Sequence, residues 1–100
     1  MMTPVSKFPP VRRDMAIVVD EAVSAQAILD TLATVKPPYV DQIEPFDLYR
    51  GPRLSPGKKS LAILVLMQDT ERTLTDADID AAMRILVTAL HDRFDATLRE

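Results

Sequence analysis

The chain has 100 residues, 47% of them hydrophobic, and its 15 acidic and 12 basic residues give a net charge of −3. This length is that of one ordinary domain, and the hydrophobic content suffices for a buried core. The sequence has no cysteine, which excludes disulfides and thiolate metal sites and suits a reducing cytoplasm. No apolar run approaches the ~20 residues of a membrane span. We therefore expect a single cytoplasmic domain over residues 1–100.

The first half of the chain predicts a strand, a helix and a second strand. Residues 1–13 are rich in proline and are expected to form an extended N-terminal segment. Residues 15–19 are mostly β-branched and predict the first strand. Ser24 is a favourable N-cap for an amphipathic helix that two consecutive prolines end. Residues 40–49 predict the second strand, which Pro45 confines to an edge or interrupts with a bulge.

The second half predicts two more strands around a second helix. Residues 59–68 form the longest apolar run and favour a strand, with a helix as the alternative. Thr75 and Asp78 have the spacing of a capping box, and an apolar stripe continues for four turns to Phe94. Residues 96–99 leave room for a short final strand. The order predicts an α+β fold, a ferredoxin-like split β-α-β-β-α-β sandwich with a four-stranded antiparallel sheet and two helices on one face.

The segment between the second and third strands is predicted to be a long, positively charged loop. Both glycines of the chain lie in it together with two prolines, and these residues favour turns. No acidic residue lies between positions 50 and 60, whereas four basic residues do: Arg50, Arg53, Lys58 and Lys59. Because Tyr49 stands beside this charge, the sequence indicates contact with a nucleic acid.

A pair of arginines precedes the first predicted strand. Arg12 and Arg13 could clamp a phosphate group. Alternatively, they form a solvated start of the strand or an ion pair with Asp14. The sequence leaves both interpretations open.

With both helices on one face, the other face of the sheet is left open, and period-two alternation assigns side chains to the two faces. The open face is predicted to combine Tyr49 with the small residues Ala16, Ser60 and Ala62, which would let a flat RNA base approach the sheet. In the alternative, Tyr49 only covers neighbouring apolar atoms. The side chains predicted to face the helices are Met15, Ile17, Val19, Phe46, Leu48, Leu61, Ile63 and Val65.

The sequence contains no group of residues typical of catalysis. The only histidine, His91, falls at the flank of the second helix stripe, and without cysteine no zinc cluster can form. Two glycines are too few for a glycine-rich phosphate loop. Acylphosphatases share the predicted architecture, but their active site consists of an arginine-bearing glycine loop and an asparagine. This chain has no asparagine. We expect no catalytic residue, metal or cofactor in this domain.

Four short motifs occur in order along the chain: KFPPVRRD at residues 7–14, FDLYRG at 46–51, GKKSLA at 57–62 and RTLT at 72–75. Together they closely resemble the ferredoxin-fold anticodon-binding domain that ends the beta subunit of bacterial phenylalanyl-tRNA synthetase. The resemblance covers residues 7–100 and implies the C-terminal domain of a much larger subunit.

The resemblance also implies partners and site residues. The family grips the anticodon stem-loop of phenylalanine tRNA, in contact with the rest of the beta subunit, while the alpha subunit charges the 3′ end. The parent ligase would use ATP and magnesium. Tyr49 corresponds to the residue that stacks on an anticodon base, and Ser60 and Ala16 match other positions of that contact. With the cations, the predicted RNA-binding set is Tyr49, Ser60, Ala16, Arg12, Arg13, Arg50, Arg53, Lys58 and Lys59.

Two functions of other classes remain open from the residues alone. A stand-alone ferredoxin-like regulatory module would dimerise through its open face and bind a small ligand. A purely structural domain would pack that face against the rest of its subunit. The host could also differ, because mitochondrial phenylalanyl-tRNA synthetases carry a similar domain on a single chain.

Overall fold

A computed structural model describes residues 10–69 and 73–99 of the chain. The four strands found in these residues form one antiparallel sheet in the order β2-β3-β1-β4. With two helices in addition, this arrangement confirms the predicted ferredoxin-like α+β fold. The elements are β1 (Val11–Asp20), α1 (Ala25–Val35), β2 (Val40–Tyr49), β3 (Lys58–Met67), α2 (Asp76–Phe94) and β4 (Thr97–Leu98).

The pairing of β1 with β3 runs unbroken over the ten residues of each strand. Met15 lies opposite Ile63, and Ala16 lies opposite Ala62. Residues directly opposite each other in a sheet point to the same face, so the alternation separates a helix-covered face from an open face. The helix-covered side chains of these strands were predicted correctly, since each is at most 5% exposed: Met15, Ile17, Val19, Leu61, Ile63 and Val65.

The two helices begin at the predicted caps. Ser24 Oγ accepts a hydrogen bond from the Ala27 backbone N–H at 3.1 Å. Thr75 and Asp78 form a complete capping box, each side chain accepting from the other residue's N–H at 3.1 and 2.9 Å. Within the described part of the chain, no helix is long and apolar enough to cross a membrane. The helices complete the core with Ile28, Leu32, Ile79, Ala82, Leu86 and Leu90.

The first and last strands differ in length from the prediction. β1 begins at Val11, which pairs with Met67, so residues 11–13 belong to the sheet rather than to the extended N-terminal segment. The apolar run of β3 is long enough to extend the ladder this far. Residues 1–9 of that segment lie outside the described residues. At the other end of the chain, β4 pairs with β1 through two residues only.

Strand β2 departs from the predicted alternation at its proline. The register shifts between Pro45 and Asp47, which leaves Phe46 as an extra residue. Proline cannot donate to the ladder, and a bulge re-aims the neighbouring side chain. Phe46 is 52% exposed and has the guanidinium carbon of Arg12 at 5.8 Å from its ring centroid, so the prediction that it faces the helices is wrong. Leu48 keeps the predicted face but is 43% exposed, because β2 is an edge strand.

Candidate nucleic-acid interface

The open face brings the predicted stacking residue together with small side chains. Tyr49 on β2 lies opposite Ser60 on β3, and Ser60 lies opposite Val18 on β1. The next row of the same face contains Ala16 and Ala62. The predicted grouping of Tyr49 with Ala16, Ser60 and Ala62 is therefore confirmed as a spatial arrangement.

The ring of Tyr49 extends along the chain to Gly51. A β-carbon placed on Gly51 would lie only 2.6 Å from Tyr49 Cζ. Such a contact is shorter than van der Waals separation, so the ring can take this position only because residue 51 lacks a side chain. Gly51 thus sets where the aromatic ring lies, which is the close approach for which glycine is suited.

Arg99, just after β4, lies over the same ring. Its Cζ is 4.3 Å from the ring centroid of Tyr49, and its backbone N–H donates to the Ala16 carbonyl at 2.8 Å. Because β4 and β2 are the two edges of the sheet, the side chain reaches across β1 and β3. The small side chains of Ala16 and Ala62 leave room for it. The sequence prediction missed Arg99. Its position beside Ala16 becomes apparent only once the register of β4 against β1 is known.

The loop between β2 and β3 consists of two consecutive turns. The Leu54 N–H donates to the Gly51 carbonyl, and the Lys58 N–H donates to the Ser55 carbonyl, each at 3.1 Å. Gly57, with φ of 79°, follows Pro56 at the centre of the second turn. This sequence and this φ are typical of a type II turn, which places proline first and glycine second.

Two acidic residues at the end of β1 pair with the basic loop. Glu21 accepts hydrogen bonds from Arg50 Nε at 2.8 and 2.9 Å, and Arg50 Nη2 completes the ion pair at 2.6 Å from Glu21 Oε1. The Glu21 N–H donates to the Gly57 carbonyl at 2.8 Å. Asp20 lies 2.9 Å from Lys58 Nζ. The hydrogen bond from Arg50 lowers the pKa of Glu21. The loop itself contains no acidic residue. Asp20 and Glu21 come close to it only through the register of β1 with β3.

The other predicted cations are distributed over both faces of the sheet. Arg12 lies on the open face and pairs with Asp14 at 3.0 Å. Arg13 is exposed and its Nη1 donates to the Arg12 carbonyl at 3.1 Å. Lys59 lies on the helix-covered face and is only 8% exposed, whereas Arg53 is exposed in the loop. Arg99 thus lies over the Tyr49 ring, while Arg50, Arg53 and Lys58 follow Tyr49 along the chain.

The described residues offer no arrangement for metal chemistry. Within residues 10–69 and 73–99, no three histidine, cysteine, aspartate or glutamate side chains come together to hold a metal ion. His91 Nδ1 is 3.3 Å from the Ala96 carbonyl oxygen, at the end of α2. The surface around Tyr49 instead offers an aromatic ring, small neighbouring side chains and positive charge, which can bind a nucleobase and its phosphates.

The model of the ferredoxin-fold anticodon binding domain family matches residues 6–99. The chain belongs to this family.

The chain is similar to segments of much longer proteins. It is 47% identical to the phenylalanine–tRNA ligase beta subunit of Nitrosospira multiformis, over 95% of this chain and 12% of that relative. The same subunit of Chromobacterium violaceum is 54% identical over 86% of the chain and 11% of its own length. That of Thiobacillus denitrificans is 51% identical over 94% and 12%, respectively. The chain therefore spans about an eighth of the curated relatives it matches.

The two glycines of the loop give a matched pair of substitutions. Gly51→Ala should move the Tyr49 ring without unfolding the domain, because only the far end of one side chain has to shift. Gly57→Ala should leave the ring in place but destabilise the fold by about 1–2 kcal/mol, because alanine is disfavoured at positive φ. Chemical shifts of the ring protons and thermal unfolding measure the two effects. An unmoved ring in folded Gly51→Ala would contradict the described position of Tyr49.

Proposed function

We propose that residues 1–100 form the tRNA anticodon-binding domain of a phenylalanine–tRNA ligase beta subunit and hold an anticodon base against Tyr49. Membership of the anticodon binding family supports this function. The observation that carries the choice of surface is the position of Tyr49, beside Ser60 and next to the row of Ala16 and Ala62, on the face without helices.

The proposed contact is a base stacked on an aromatic ring. Sequence-specific RNA recognition uses unpaired bases, which stack on aromatic side chains and present their edges to hydrogen-bonding groups. Tyr49 supplies the ring, and the Ser60 hydroxyl is the nearest polar group in its row. Ala16 contributes room rather than an attractive contact, because its methyl group leaves the sheet surface low enough for a flat base.

The charges of the open face favour one orientation of the RNA. Arg50, Arg53 and Lys58 surround the Tyr49 end of the face, whereas Asp14 and Glu44 flank Leu64 further along it. Phosphates should therefore lie at the loop end. Exposed ion pairs contribute little to stability, so RNA phosphates can replace Glu21 and Asp20 as partners of Arg50 and Lys58.

In this proposal, catalysis takes place elsewhere in the parent ligase. ATP and magnesium would bind outside this domain, and the rest of the beta subunit and the alpha subunit would be its protein partners in the cytoplasm. The domain would contribute affinity and orientation for the tRNA. Binding energy gained far from the reacting atoms can position the 3′ end for aminoacylation.

Substitution of Tyr49 tests the stacking contact. Tyr49→Ala should weaken binding of a phenylalanine anticodon stem-loop by about 1–3 kcal/mol, the usual value of one base–aromatic stack. Tyr49→Phe keeps the ring and should bind nearly as well. Ala16→Leu should also weaken binding while the domain stays folded, because a larger side chain on the open face displaces no core atom.

Dissociation constants and thermal unfolding would be measured for all three variants. If Ala16→Leu and Tyr49→Ala both fold and bind the stem-loop normally, the open face does not hold the anticodon. Binding of the stem-loop to none of the proteins would favour the alternative of a packing domain.

The loop should contribute through charge. Arg53→Gln removes an exposed loop cation, and the slope of log K against log salt concentration should fall by about 0.7 if Arg53 contacts a phosphate of the single-stranded loop. Lys36→Gln, at the C-cap of α1, removes the same charge far from the loop and should leave the slope unchanged. Equal slopes for the two variants would exclude a phosphate contact of Arg53.

A further inference from the structure

The surface proposed to receive a base is covered by a side chain of the domain itself. The guanidinium of Arg99 lies 4.3 Å from the Tyr49 ring centroid, within the distance of a stacked cation–π contact. Ser60, opposite Tyr49, is only 2% exposed although it lies on the face without helices. Side chains of the open face itself must therefore bury Ser60, and the large groups near it are Tyr49, Arg99 and Lys58.

Resting on the proposed function, we propose that Arg99 is a built-in occupant of the base-stacking surface. Its planar guanidinium takes the place on Tyr49 that an anticodon base takes in the complex. RNA binding exchanges one planar group for the other, and the departure of Arg99 exposes Ser60 to the base edge. Guanidinium groups suit this role because they are planar, delocalised and weakly hydrated, and they stack on aromatic rings.

The anchoring of Arg99 permits such an exchange. Its backbone is fixed to β1 by the hydrogen bond to the Ala16 carbonyl, while its side chain spans two strands to reach the ring. The flexible side chain can swing away without breaking the sheet. The exchange is favourable because a base–aromatic stack is stronger than a cation–π contact at an exposed site. The displaced cation then remains close to the RNA.

The same chain contains a matched contact away from the open face. The guanidinium carbon of Arg93 lies 5.6 Å from the ring centroid of Phe94, at the end of α2. Arg93→Gln therefore removes one positive charge and one cation–π contact without touching Tyr49. This variant controls for the general loss of attraction between protein and RNA.

The exchange can be observed directly by nuclear magnetic resonance of the 100-residue chain. Cross-relaxation between the Arg99 side chain and the Tyr49 ring should be present in the free protein and lost when the phenylalanine anticodon stem-loop saturates it. The corresponding signal between Arg93 and Phe94 should persist in both states. Persistence of the Arg99 signal in the complex would overturn the proposal.

A double-mutant cycle measures the competition. The effect of Arg99→Gln on the dissociation constant of the stem-loop is determined with Tyr49 present and with Tyr49→Ala. Loss of Arg99 should make binding about two- to fivefold tighter in the protein with Tyr49 than the same loss does in Tyr49→Ala. Only when Tyr49 is present does the loss of Arg99 free an aromatic ring for the base. Arg99→Lys, which keeps the charge without the planar group, should show part of this coupling with an unchanged salt dependence.

Each other result is informative. Coupling of the opposite sign would mean that Arg99 and Tyr49 enclose the base together, and absence of coupling would mean that Arg99 acts through charge alone. Either result overturns the proposed exchange but leaves the open face as the binding surface. If Tyr49→Ala binds as tightly as the unchanged protein, the proposed stacking contact on Tyr49 itself fails, and the exchange with Arg99 fails with it.

Discussion

The antiparallel pairing of β1 with β3 is the constraint on which the rest of the structure depends. Because side chains alternate between faces, a slip of one residue would turn Met15 and Ile63 outward and Ala16 and Ala62 into the core. Burial of the large side chains under two helices fixes the register against that slip. The pairing of β2 with β3 then places Tyr49 beside Ser60, and Ala16 and Ala62 form a surface of small side chains across which Arg99 reaches the ring.

The electrostatic character of the domain follows from local pairing rather than from its net charge of −3. At physiological salt, charges further apart than about 8 Å are largely screened at the surface. RNA bound at the loop end, as proposed, would therefore encounter mainly the cations of the loop, while the carboxylates of α2 would contribute little. Pairing with Glu21 and Asp20 keeps Arg50 and Lys58 oriented without burying them, so they remain available to phosphates.

Features with a short-range cause could be predicted from the sequence. Ser24 and Thr75 cap helices through side chains that bond to nearby backbone groups, and period two assigned the faces of β1 and β3. The face of Phe46 was predicted wrongly because Pro45 indicates a bulge or an edge strand but not which neighbouring residue becomes the extra one. The pairing of Glu21 with Arg50 and the contact of Arg99 with Tyr49 join residues far apart in sequence, and no local pattern specifies them.

The central claim is that the open face, and not the helical face, receives the anticodon. Titration of a phenylalanine anticodon stem-loop into the isotope-labelled chain tests it most directly, by reading which residues change chemical shift. The account predicts the largest changes at Tyr49, Ser60, Ala16 and Arg99. Changes confined to the outer surface of the helices, where Ile85 is 43% exposed, would contradict it.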